Sequence, residues 1–191
     1  MSRIHRQSIR AGMVFGVLLS WGAGLSPAYA DCNFHQFAFG APLNMVMNSL
    51  KVQEPEEYPP VIPKLSHKVV SMLGSQICPG DASFTNVLIT YNFLADQLVS
   101  IQLQLQQPAD STLTLLDWAM HRYGRSILES KGPVGKMSAG QWNWNAGAET
   151  AFLVLVRQGS IASQQLDITS TAYQALFEQR WKAMEEMPQK P

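Results

Sequence analysis

The strongest constraint on what this chain can fold into is an alternation: Val99, Ile101, Leu103 and Leu105 interleave with Ser100, Gln102, Gln104 and Gln106. Successive side chains of a strand point to opposite faces, so the run predicts a strand with one apolar and one polar side. Just before it, Val87, Ile89, Tyr91 and Phe93 form a second β-rich run. Leu94-Ala95-Asp96-Gln97 between them is short enough to turn an antiparallel hairpin. This ribbon, Ser83 to Gln106, is the frame against which the other segments are placed.

Upstream, Pro42 opens a helix whose Leu43, Val46, Met47 and Leu50 share a face. Four prolines and three glutamates between Glu54 and Pro63 predict a stiff, solvated loop over 54–63. Val69 to Leu73 fits either a short helix or an edge strand, and Cys78-Pro79-Gly80-Asp81 reads as a turn. Downstream, Asp110-Ser111 caps a helix carrying Leu113, Leu116, Met120 and Tyr123, and Gly124 stops it. Glycines, Pro133 and two lysines predict an irregular crossing from Arg125 to Gly140.

Three more strands follow: Gln141 to Asn145, the continuously apolar Phe152 to Val156, and a third marked by Leu166 and Ile168. Five consecutive apolar residues predict a central strand covered on both faces. A last helix over 171–187 is signalled by a capping box of Thr171 and Gln174 and a stripe of Tyr173, Leu176, Phe177, Trp181 and Met184. The fold class is therefore α+β: a single antiparallel sheet of about five strands with helices packed on one face. Its order, helix-strands-helix-strands-helix, suggests a degenerate two-fold repeat.

Residues 1–30 have the zones of a secretory signal: Arg3, Arg6 and Arg10, an apolar run from Ala11 to Leu25, and the cleavage site Ala28-Tyr29-Ala30. The apolar run is shorter than the ~20 residues of a membrane span, and Asp31 before Cys32 argues against acylation of that cysteine. The expected product, residues 31–191, suits one domain in the periplasm or secreted, with no transmembrane anchor. Loss of the three arginines takes a balanced precursor, 14 basic and 14 acidic side chains, to a net negative chain. Such a chain is a poor partner for nucleic acid or an anionic membrane. Cys32 and Cys78, the two cysteines, predict a disulfide in an oxidising compartment.

The aromatic-glycine pair Phe39-Gly40 before a helix, the hairpin, the helix ending Tyr123-Gly124 and the tryptophan strand with Trp142 and Trp144 together resemble the small secreted bacterial helix-plus-sheet modules of the β-lactamase-inhibitor-protein and SmpA type. By order of elements the resemblance covers much of Phe39 to Ser170. It implies a non-catalytic role in binding another envelope protein, for assembly or inhibition. The chain departs from that group in its proline-rich loop, its cysteine pair and its terminal helix, and no binding residue carries over.

Motifs for chemistry are sparse. His35, His67 and His121 lack metal-ligand spacing, so neither a metal nor another cofactor is expected. There is no Gly-x-Ser-x-Gly elbow, no Ser-x-x-Lys and no phosphate-cradling glycine loop, which leaves a hydrolase the third reading. The candidate surface is Trp142, Asn143, Trp144 and Asn145. If the two indoles face out they form a platform for a protein hot spot or for a glycan or peptidoglycan ligand, the second reading. If they face in they are core, the commoner fate of two large rings in one short strand.

Overall fold

The computed structural model describes residues 32–58, 66–126, 128–134, 137–176, 178 and 182. The expected signal peptide, Pro59 to Pro63 of the proline-rich loop, and Phe177, Trp181 and Met184 of the terminal stripe lie outside the described residues.

The predicted hairpin forms from β3 (Leu88–Leu94) and β4 (Gln97–Pro108). Ala95 and Asp96 between them both have positive φ, 48° and 59°, the conformation whose twist matches the flanking strands. The remaining strands are β1 (Glu56–Tyr58), β2 (His67–Leu73), β5 (Leu128–Val134), β6 (Met137–Asn145), β7 (Glu149–Gln158) and β8 (Ile161–Ser170). All join one antiparallel sheet in the order β1-β2-β3-β4-β8-β7-β6-β5, with β1 a three-residue edge piece and seven strands of substantial length. Two meanders therefore meet at the β4–β8 pair, Ile101 opposite Ile168 and Leu103 opposite Leu166. The helices are short: α1 (Leu43–Leu50), the single turn α2 (Gly74–Ile77) and α3 (Thr114–Tyr123).

The sheet is larger than the expected five strands because three segments read differently in place. Glu56–Tyr58, expected as loop, pairs with Val69 to His67. Val69 to Leu73 lies in a strand, not a helix, held by β3 along Leu73 to His67. The crossing expected to be irregular supplies β5 and the start of β6, with Pro133 on the outer edge strand, where a missing N–H breaks no second ladder.

One face carries the core. Across the strands run the rows Trp144, Ala151, Ile168, Ile101, Tyr91, Val70 and Trp142, Leu153, Leu166, Leu103, Ile89, nearly all withdrawn from solvent. The segment from Cys32 and the helices α1 and α3 pack on that face: the Tyr91 hydroxyl donates to the Phe34 carbonyl at 3.0 Å, and Leu43, Val46, Leu115 and Ala119 join the same cluster. The Cys32–Cys78 disulfide forms and pins the beginning of this cover to the turn before β3.

The expectation of cover on both faces of Phe152 to Val156 does not hold. Strand β7 is interior to the sheet, but only Ala151, Leu153 and Leu155 are buried, while Phe152, Val154 and Val156 are half-buried on the opposite side. The capping box of Thr171 and Gln174 is also not made: the Thr171 hydroxyl is used against the Gly147 and Ala148 carbonyls, and the Gln174 amide reaches Glu178.

Candidate functional site

The tryptophan strand resolves as core. Trp142 and Trp144 are 6% and 3% exposed, and the Trp144 indole N–H donates to the Gly124 carbonyl at 2.9 Å. The exposed aromatic platform is thereby corrected: both rings are buried, and the Tyr123-Gly124 end of α3 covers Trp144. Gly140 makes room for Trp142, since a β-carbon there would run into the indole. Asn143 and Asn145 of the candidate surface stay on the other side of β6, half-buried and exposed.

Among the described residues no helix packs on that other side, the open face of the sheet, and its organisation comes from register. One row across it reads Asn143, Phe152, Asp167, Gln102, Thr90, Ser71; the next reads Gln141, Val154, Gln165, Gln104, Leu88, Leu73. Amides and the Asp167 carboxylate occupy the middle; Phe152 and Val154 flank them on β7, and on the other side Thr90 and Ser71 continue the first row while Leu88 and Leu73, 36% and 47% exposed, continue the second. At the centre the Asp167 carboxylate accepts from the Gln102 amide at 2.7 Å on one oxygen and from the Gln165 amide at 2.8 Å on the other. Gln102 is itself held by an amide hydrogen bond from Gln104 at 2.9 Å. These bonds fix three long side chains that would otherwise be free to rotate. Beside the network lies a shallow concavity of about 550 Å³ between Leu88, Gln104, Gln106, Val154, Val156 and Ser163. A smaller one, about 240 Å³, lies against the disulfide at Cys32, Ile77 and Cys78.

A second cluster sits at the seam between the N-terminal segment and α3. The His35 ring stacks on Trp118, 6.0 Å between centroids and 10° between planes, with Phe34 at 4.9 Å. Burial, partly offset by the Glu149 carboxylate and reinforced by Arg122, lowers its pKa to about 4. Its Nε2 is buried without a hydrogen-bond partner among the described residues. Arg122 lies over the Trp118 and Tyr123 rings at 5.8 and 5.6 Å and within 4.0 Å of Glu149, which also accepts from the Tyr123 hydroxyl at 3.2 Å. Burial and Glu149 push the Tyr123 phenol well above its ordinary pKa. A neutral imidazole and a protonated phenol between aromatic rings suit packing better than proton transfer to solvent.

Among the described residues no three His, Cys, Asp or Glu converge as a metal site, and no helix is long and apolar enough to cross a membrane. The disulfide points to folding in an oxidising compartment outside the cytoplasm. Neither protein-family models, nor characterised proteins, nor solved structures give a match to this chain.

The Asp167 network was not found in the sequence, although part of its signal was present. Alternation places Gln102, Gln104 and Gln106 on one face of β4, and Asp167 between Leu166 and Ile168 on the polar side of β8. What puts them side by side is the β4–β8 pairing, 65 residues apart for Gln102 and Asp167.

Proposed function

We propose that this is a non-catalytic protein of the periplasm or the extracellular space that binds another envelope protein on the open face of its sheet. The observation that carries the reading is the division of the sheet: α1, α3 and the N-terminal segment pack on one face, and the other presents an ordered amide network with apolar flanks and a shallow concavity. Fixed hydrogen-bonding groups beside apolar area are what a specific protein interface uses. The resemblance to the β-lactamase-inhibitor-protein and SmpA modules supports the same reading.

A photo-crosslinking residue at Gln104, Gln106 or Val156, in the protein's own envelope, should give one recurrent adduct. Val156→Glu should abolish it while changing the melting temperature little, because Val156 is half-buried on the open face and takes no part in the buried core. Adducts of equal yield from positions on α1 or the β7–β8 turn would overturn the reading.

A further inference from the structure

Asp167 is the one formally charged side chain among the described open-face positions of β3, β4, β6, β7 and β8. It sits in the middle of the sheet, on the strand pair where the two meanders join. Its neighbours across the strands are Gln102 on one side and Phe152 on the other. No described Lys or Arg pairs with it; its polar contacts are the two glutamine amides, one on each oxygen. A carboxylate oxygen accepts more than one hydrogen bond, so each retains acceptor capacity.

We infer that Asp167 is the charge-reading centre of the open face and that the docked partner presents an arginine to it. The inference rests on the proposed binding face and deepens it by stating the partner's chemistry. Three features favour a guanidinium. The carboxylate is held on both oxygens, by Gln102 from the neighbouring strand and by Gln165 from its own, which fixes its plane for a two-pronged partner. Phe152 lies next to it on the same face, where a flat cation can rest against the ring. Among the described residues the surrounding amides and valines include no competing cation and no second anion, so a single positive charge on the partner is matched by a single negative one here. A partner bringing a carboxylate to this spot would meet like charge, which gives discrimination as well as attraction.

The test is selection of random heptapeptides displayed on phage against the immobilised mature protein, in parallel with Asp167→Asn and Asp167→Glu variants whose melting temperatures match the parent. Binders from the parent should be enriched in arginine severalfold at one position. Replacing that arginine by citrulline in a synthetic peptide should weaken binding at least tenfold. The enrichment should vanish with Asp167→Asn and return in part with Asp167→Glu, and the bound peptide should shift the side-chain amide resonances of Gln102 and Gln165. Peptides that lack basic residues, bind Asp167→Asn equally and are blocked by Val156→Glu would overturn the arginine inference while leaving the open face as the binding surface. Peptides indifferent to both Asp167→Asn and Val156→Glu would overturn the two together.

Discussion

Burial of His35 against Trp118 makes one side chain a source of acid sensitivity. The unfolded chain takes up a proton near the ordinary histidine value of 6.5, whereas the folded chain does so only at about pH 4. The neutral ring's contribution is therefore complete above pH 6.5 and is lost progressively as pH falls from 6.5 to 4, where Glu149 and Arg122 are the charged groups facing it. The difference amounts to at most about 3 kcal/mol. In His35→Phe, which keeps a ring on Trp118 but cannot titrate, chemical denaturation across this pH range should show a smaller loss of stability than in the parent. Parallel pH profiles would refute the assignment. Tyr91, also buried, titrates far outside this range because burial raises its pKa.

At the level of elements, two contacts decide how α3 and β6 sit on the sheet. Helix α3 was expected to be capped by Asp110-Ser111, but it begins at Thr114, and the Leu115 and Leu116 N–H groups donate to the Gln164 side-chain oxygen at 3.1 and 3.2 Å. A helix start leaves its first N–H groups without partners in the helix, and here a strand residue supplies the acceptor. Gln164, 2% exposed, stands in an otherwise apolar row between Leu155 and Leu105. Gln164→Leu should cost about 2 kcal/mol, read from urea denaturation, because the buried Leu115 N–H and the half-buried Leu116 N–H lose their acceptor. Gly140 permits the Trp142 indole to lie across β6, so Gly140→Val should cost about 1–3 kcal/mol and alter the tryptophan fluorescence. An unchanged spectrum and stability would mean that the ring is accommodated elsewhere. The expected apolar face of α3 is also shifted: Leu115 and Ala119 are buried and Met120 is 45% exposed, because the helix meets the sheet along the row that contains Gln164.

For the whole molecule, the disulfide ties Cys32, in the segment that packs on the core face, to the turn leading into β3. Its closed loop contains α1, β1, β2 and α2. In the chain-entropy account, a loop of this length removes up to about 4 kcal/mol of freedom from the unfolded state. That is a large part of the stability of an ordinary domain. Cys32→Ser with Cys78→Ser should lower the denaturation midpoint correspondingly, and a reductant should then have no further effect. A midpoint unchanged by the double substitution would place the stability in the sheet alone.

Periodicity and turn chemistry by themselves determined the local pieces: the β3–β4 hairpin, α1, the glycine stop after Tyr123, the α+β class and the cysteine pair. Each depends on residues close in sequence, or on two cysteines with no other partner. Tertiary structure decided the rest. Pairing with β2 turned Glu56–Tyr58 from loop into strand, and pairing with β6 did the same for Leu128–Val134. Packing on the core face, with the end of α3 against Trp144, turned Trp142 and Trp144 inward, an ambiguity that strand alternation cannot resolve because it separates two faces without naming which one is covered. The Asp167 network depends on a contact between distant strands, and a one-residue slip in the β4–β8 register would turn Asp167 toward the core.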